Sequence, residues 1–253
     1  MAISIKSPKE ISALRKAGEF TGRTLALLKE NVRAGITLLE LDKIAEDFIL
    51  SLGAKPAFKG LYGFPNTVCI SVNEVVIHGI PTDYALKEGD IVGLDLGVEF
   101  QGYYGDSALT LPVGNISSKD KALLACSKET LEEAISSIKV GMHFKELSQV
   151  LEKAIIERGF VPLKGFCGHG IGRKPHEEPE IPNYLEKGVK PSSGPKIKEG
   201  MVFCLEPMVC QQKGEPKILQ DKWSVISVDG LNTSHHEHTI AIVGNQAVIL
   251  TEY

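Results

Sequence analysis

Five side chains in this sequence are of types that could hold metal ions, and their settings are unusual. The segment IVGLDLGVEFQGYYGDSALTL, residues 91–111, alternates as a β-hairpin with a turn near Glu99–Gly102. That turn predicts Asp95 and Asp106 nearly opposite each other on adjacent strands, with Cβ atoms roughly 4.5–5.5 Å apart. Two carboxylates so placed repel, and a fold keeps them by exposing them, by sharing a proton or by binding a cation. Their neighbours Ile91, Val92, Leu94, Leu96, Val98, Ala108, Leu109 and Leu111 are apolar, which argues against full exposure. Glu206 lies in the apolar run MVFCLEPMV and Glu237 in HHEHTIAIV. Lone carboxylates in apolar strands are rarely buried without a partner. His169 sits between Gly168 and Gly170 in GFCGHGIG, where the backbone can pass close to a ligand. Each residue alone fits a satisfied core position, but all five together do not. Asp95, Asp106, Glu206 and Glu237 carry four negative charges, which two divalent cations would balance. Four carboxylates and one imidazole form a hard donor set suited to Mn, Fe, Co or Zn rather than Cu(I). Paired ions of this kind activate a shared water and polarise a scissile carbonyl.

The elements that must position these groups show an internal repeat. Leu25–Pro56 and Leu131–Pro162 align at an offset of 106 residues, with Leu25/Leu131, Gly35/Gly141, Glu40/Glu146, Leu41/Leu147, Gly53/Gly159 and Pro56/Pro162 among the identical pairs. Both units read as helix, glycine-centred turn, helix and glycine stop. Leu38, Leu41, Ile44, Ala45, Phe48 and Ile49 have the spacing of a half-buried helix. Strands are predicted after each helix pair, over 67–72, 74–78, 90–98 and 103–113, then over 201–209, 222–228 and 238–243. The pattern predicts an α+β fold of two pseudo-twofold halves, about 15–110 and 121–245, within a single domain over 1–253. A site shared by both halves would lie at the centre of the sheet. The Pro/Lys/Gly-rich stretch Glu186–Gly200 reads as a surface loop.

Composition narrows the class. With 28 Lys and Arg against 32 Asp and Glu, the net charge is −4, which argues against a dedicated nucleic-acid binder. No stretch approaches a membrane span and the first twenty residues lack a signal-peptide core, so a cytoplasmic protein is expected. The five cysteines, at 69, 126, 167, 204 and 210, form no CxxC pair and read as free thiols of a reducing compartment.

The hairpin GLDLGVEFQGYYGD, the block CGHGIGRKPHEEP, the run CLEPM, the strand start HEHTIAIV and the upstream SVNEVVIHGIP occur in one order and spacing. Together they resemble the methionine aminopeptidases of the short single-domain bacterial type, over about residues 3 to 250. The resemblance implies the pita-bread fold, a central antiparallel sheet flanked by helices. It also implies removal of the N-terminal methionine from nascent polypeptides whose second residue is small. By that match Asp95, Asp106, His169, Glu206 and Glu237 hold two divalent ions (Co, Mn, Fe or Zn). His78 contacts the scissile amide nitrogen, His176 hydrogen-bonds the carbonyl oxygen, and Glu206 shuttles a proton from the attacking water. The methionine slot maps onto Phe58, Leu61, Phe64, Cys69 and Trp223, and a monovalent cation onto Asn73, Val75 and Thr233. A monomer acting on nascent N-termini is expected, with no membrane or specific nucleic-acid partner. The ribosome is a candidate partner because the substrate emerges there.

Three departures from the family pattern stand out: Pro175 and His236 stand where aromatics are usual, and Leu61-Tyr62 replaces Tyr-His in the loop Gly60–Gly63. All five metal-holding positions are kept. Two alternatives compete. A proline-specific aminopeptidase of the same fold carries a large extra N-terminal domain, for which there is no room before residue 15. A non-catalytic binder of nascent chains or RNA should lose the metal-holding groups and gain basic tails, and neither is seen. The longer type of methionine aminopeptidase carries an insertion in the second half, whereas only 29 residues separate His176 from Glu206.

Overall fold

The computed structural model describes residues 3–253. Local chemistry sets the helix boundaries. Helix α1 (Pro8–Asn31) starts at a capping box in which Ser7 and Glu10 satisfy each other's backbone amides, with Pro8 in the first turn. Thr37 and Glu40 do the same for α2 (Leu38–Ser51). Helix α3 (Ser118–Ser137) is capped by Ser117, and in α4 (Phe144–Glu157) Glu146 accepts the His143 amide at 2.7 Å. The repeated glycines do equivalent work. Gly35 and Gly141 both have φ of 90°, and their amides donate to Leu86 O and Ile197 O.

The strands of the first half are β1 (Lys55–Pro56), β2 (Cys69–Val72), β3 (Val75–Ile77), β4 (Ile91–Phe100) and β5 (Tyr103–Pro112). The second half carries β6 (Val161–Pro162), β7 (Cys167–Gly170), β8 (Glu177–Pro182), β9 (Val202–Leu205) and β10 (Met208–Cys210). It continues through β11 (Pro216–Ile218), β12 (Val225–Ser227), β13 (Thr233–His235), β14 (Glu237–Val243) and β15 (Gln246–Ile249). A nine-stranded antiparallel sheet runs β1-β4-β5-β14-β9-β7-β8, with β2 also on β4 and β15 also on β14. The strands of the first and second halves of the chain therefore meet at the β5–β14 pair, in the middle of the sheet. Two small sheets, β13-β10-β6 and β11-β12-β3, flank it.

Alternation sends one face of the large sheet to the helices. Leu94, Leu96 and Val98 join Leu25, Leu28, Leu41 and Ile49 in the first-half core, and Phe203, Leu205, Ile240 and Ile242 join Leu147 and Leu151 in the second. Helix α1 lies against β4 and β5. Its approach is closest where Gly18 faces Gly105: a Cβ at Gly105 would fall 2.6 Å from the Gly18 nitrogen. Gly105→Ala should cost about 1–3 kcal/mol or more by overpacking, read as a lower urea midpoint at unchanged m.

Two sequence expectations need correction. The expected single strand over 201–209 is broken at Glu206–Pro207, because proline has no amide for the ladder, and β9 and β10 then enter different sheets. The hairpin turn is centred on Gln101–Gly102, with φ of 53° and 77°, and Phe100 pairs with Tyr103. Two left-handed residues make the tight two-residue turn that matches strand twist. Asp95 therefore faces Ala108, and Asp106 faces Gly97, so the carboxylates are diagonal neighbours on one face rather than directly opposed. All five cysteines are free, as expected. No helix among the described residues is long and apolar enough to cross a membrane.

Candidate active site

The face of the sheet turned away from the helices carries the polar groups in two adjacent rows. In the first, Cys69 pairs with Asp95, Asp95 with Ala108, and Ala108 with Glu237. Continuing the β14–β9 register by one residue beyond His238–Leu205 brings Glu206 beside Glu237. In the second, Asp106 lies beside Thr239, whose hydroxyl donates to Asp106 O at 2.7 Å and accepts the Asp106 amide at 3.0 Å. Thr239 pairs with Cys204, and β7 then presents His169. The five expected metal-holding groups thus come from five neighbouring strands or strand ends. Ala108, nearly fully buried at the middle of the first row, leaves room between the carboxylates.

The electrostatics are those of a cation site. Asp106 and Glu237 are buried, and Asp95 and Glu206 are half-buried. Burial pushes the Asp106 carboxyl up to about 7. Burial and then the charge of Asp106 push Asp95, Glu206 and Glu237 well above the usual carboxylate range. Asp95 Oδ1, Asp106 Oδ1, Glu206 Oε1 and Glu237 Oε1 are all buried without a hydrogen-bond partner. Four orphaned carboxylate oxygens converging on one space fit a cation and little else. His169 Nε2 is 3.4 Å from Glu206 Oε1, while its Nδ1 lies 3.0 Å from Gly170 O. Burial holds this imidazole neutral, down to about 4, the form that ligates metals.

These groups form the floor of a cavity of about 500 Å³. Phe58, Leu61, Phe64, Cys69 and Trp223, the expected slot, all line it, with Phe64 and Trp223 edge to face at 5.2 Å. Asp42, from α2, anchors the approach to this wall by accepting the amides of Thr67 and Val68 at 2.9 Å. His78 and His176 line the same cavity. His78 follows β3 with φ of 59°, a conformation costly for a non-glycine residue and concentrated at functional sites. Its ring packs edge-on against Phe166 at 5.8 Å, and burial lowers it to about 4. His176 sits at the solvent-accessible mouth, edge-on to His169 at 4.5 Å, and partial desolvation lowers its pKa. Tyr62, one of the departures from the family pattern, stacks over His176 at 6.0 Å. His236, another, is buried away from the cavity with its Nδ1 2.8 Å from Ser127 Oγ. Asn73 and Thr233 are brought into contact, since Asn73 O accepts the Thr233 amide at 3.0 Å, and Val75 opens the adjoining strand.

Two residues of the site escaped the sequence reading. Cys204 offers its sulfur within 4.8 Å of donor atoms from Asp106, His169 and Glu237. His235 lines the cavity with a buried, unpartnered Nε2, 4.0 Å from Glu206 Oε2. Both lie two positions before a carboxylate, Glu206 and Glu237, so strand alternation applied from those residues finds them. A second signal was also present. LKEGDIVGLD, residues 86–95, repeats as IKEGMVFCLE, residues 197–206, which makes Asp95 and Glu206 equivalent. The structure bears out that equivalence: Glu88 accepts the Asn115 amide and Glu199 the Asn245 amide, each after a Val-Gly.

Residues 12–243 match Metallopeptidase family M24. The chain is 82% identical over 252 residues to the methionine aminopeptidase of Helicobacter pylori, covering all of both chains. It is similar to the crystal structure of methionine aminopeptidase from Thermotoga maritima, with a TM-score of 0.96, 38% identity and full coverage of both chains. It is also similar to the prolidase from Pyrococcus furiosus, with a TM-score of 0.80 and 28% identity, covering 98% of this chain but 65% of that one. The chain belongs to metallopeptidase family M24, with the pita-bread fold of these neighbours, and it binds divalent metal.

Proposed function

We propose that this chain is one catalytic domain that hydrolyses the first peptide bond of polypeptides beginning with methionine when the next residue is small. The observation that carries the reading is the joining, in one cavity, of an apolar slot with the partnerless carboxylates. The slot of Phe58, Leu61, Phe64, Cys69 and Trp223 suits an unbranched thioether, which sulfur–aromatic contacts favour. Asp95, Asp106, His169, Glu206 and Glu237 would hold two divalent ions, drawn from Co, Mn, Fe and Zn. When bound, such ions supply a Lewis acid and a nucleophile competent at neutral pH. The chain's own residues do the rest. His176, at the mouth and with its pKa lowered by desolvation, hydrogen-bonds the substrate carbonyl and the charge that develops on it. His78 meets the scissile amide nitrogen, and the Glu206 carboxylate carries a proton toward the leaving amine. A monovalent cation beside Asn73, Val75 and Thr233 belongs to the same reading, as do nascent N-termini at the ribosome as substrate and the cytoplasm as location.

Turnover of Met-Ala-Ser, Leu-Ala-Ser and Lys-Ala-Ser peptides, each with added Mn or Co and with chelator, tests the assignment. Methionine release should be metal-dependent and exceed leucine release by at least about tenfold, the value of shape fit in an apolar pocket. Comparable release of Leu or Lys, or turnover of an Xaa-Pro dipeptide ahead of Met-Ala-Ser, would overturn it.

A further inference from the structure

The segment that carries His176 is tied down by a residue 170 positions away in sequence. Between β7 and β8 the pairing shifts register from His169–Glu180 to Gly170–Glu177, so residues 171–176 leave the sheet as a loop. Among the described residues no hydrogen bond holds the His176 ring, whose aromatic neighbours are His169 and Tyr62. Its position therefore follows the loop backbone. The outer part of the loop is held by Arg173, whose guanidinium donates to Tyr103 Oη at 2.6 Å and lies over that ring. The part next to His176 is held by Glu177. Glu177 Oε1 accepts the Arg173 and Lys174 amides at 2.9 and 3.2 Å, closing the loop on itself.

The other oxygen, Oε2, accepts a hydrogen bond from the Lys6 ammonium at 2.7 Å. This pair is shielded: the side chains are 5% and 17% exposed. Lys6 is itself fixed, because its amide donates to Gly200 O at 2.7 Å and its ammonium also donates to Ser4 Oγ. The strap of residues before α1 thus crosses to the second half and ends at the loop. Burial alone would raise the Glu177 carboxyl, but Lys6 and the two loop amides outweigh it and hold it below the usual range. A lysine this buried is rare, and an ion pair there is weak evidence for stability alone.

We infer that Lys6 is a positioning residue for His176, acting through Glu177: the ion pair sets where the loop places the imidazole over the cavity. This rests on the reading of His176 as the carbonyl donor. Misplacing such a donor by a fraction of an ångström weakens a bond made mostly in the transition state, so kcat falls and KM hardly moves.

The test is steady-state kinetics on Met-Ala-Ser with Mn-loaded enzyme, comparing Lys6→Met, Lys6→Arg and Glu177→Gln in the wild-type background and Lys6→Met again in His176→Ala. Lys6→Met should lower kcat by about tenfold to a hundredfold, with KM within about threefold. Lys6→Arg should recover kcat to within about threefold of wild type, because a guanidinium can still reach Glu177. In the His176→Ala background Lys6→Met should cost less than about twofold more, since no imidazole is left to misplace. A loss of equal size in both backgrounds, or Lys6→Met within threefold of wild type, overturns the inference. If Lys6→Met does not fold, Glu177→Gln decides by the same kcat and KM criteria, because its remaining carbonyl oxygen still closes the loop. Should His176→Ala alone prove near wild type, the reading of His176 falls instead, a result separable from failure at Lys6.

Discussion

His176→Ala should lower kcat on Met-Ala-Ser by about 10²–10³ while changing KM less than about threefold. The imidazole stands at the cavity mouth, 4.5 Å from the His169 ring, and desolvation lowers its pKa and so favours the neutral form, which carries one N–H to donate. The substrate carbonyl oxygen gains negative charge and becomes a better acceptor as the tetrahedral intermediate forms. The hydrogen bond therefore strengthens toward the transition state and contributes little to ground-state binding. In the proposed reading, methionine affinity comes instead from the apolar cluster of Phe58, Phe64 and Trp223, which the substitution leaves alone. A mutant within threefold of wild type in kcat would remove His176 from the mechanism. A mutant with raised KM and normal kcat would make it a binding residue only.

Metal-free Asp106→Asn should melt several degrees above metal-free wild type at pH 7–8, and adding Mn or Co should reverse the order. Asp106 is buried, and its carboxyl is raised from 3.8 to about 7. A carboxyl raised in the folded state contributes full stability below its unfolded value and loses it as pH climbs through the folded one. The metal-free wild type should therefore lose stability between about pH 4 and pH 8, while Asn, which does not ionise, removes that share of the slope. Each kcal/mol should appear as about 2–4 °C for a chain of this length. With metal the balance inverts, because a ligand at a thousandfold its Kd stabilises the folded state by about 4 kcal/mol and Asn binds it poorly. Melting curves with chelator at pH 5 and pH 8, and again with Mn, check both halves. A metal-free mutant less stable than wild type at pH 8 would mean that the four carboxylates do not crowd one another as the two rows imply.

The corrected hairpin does not weaken this expectation. Asp95 and Asp106 are diagonal rather than opposed, yet Asp106 remains the main charge raising Asp95 after burial. The expected turn and the one found differ in centre by one full residue, which shifts the pairing by two, so both leave Asp95 and Asp106 on the same face, opposite to Leu94 and Leu96.

Much of the molecule was legible in the sequence because it depends on neighbours along the chain. Ser7 with Glu10 and Thr37 with Glu40 start α1 and α2 through contacts three residues apart, and Gly53 and Gly159 of the repeat, both left-handed, directly follow the C-caps of α2 and α4. Lone carboxylates in apolar runs marked Asp95, Asp106, Glu206 and Glu237, since burying such a group without a partner is too costly to occur by default. The motifs around them were specific enough for the family resemblance to cover nearly the whole chain. The tertiary structure alone decided which strands became neighbours. Nothing local states that β5 pairs with β14, and that single pairing sets Glu237 beside Ala108 and joins the two halves of the site. The turn at Gln101–Gly102 was a choice among turn types of similar sequence, and one step in its centre moved Asp106 two residues along the facing strand. Cys204 and His235 look like ordinary strand residues until sheet order fixes what lies beside them. Lys6 reads as a solvated lysine ahead of a helix, because only the crossing of the strap to the second half brings its ammonium to Glu177. Backbone preference and side-chain solubility act over a few residues, whereas the position of a buried polar group is set by partners hundreds of atoms away along the chain.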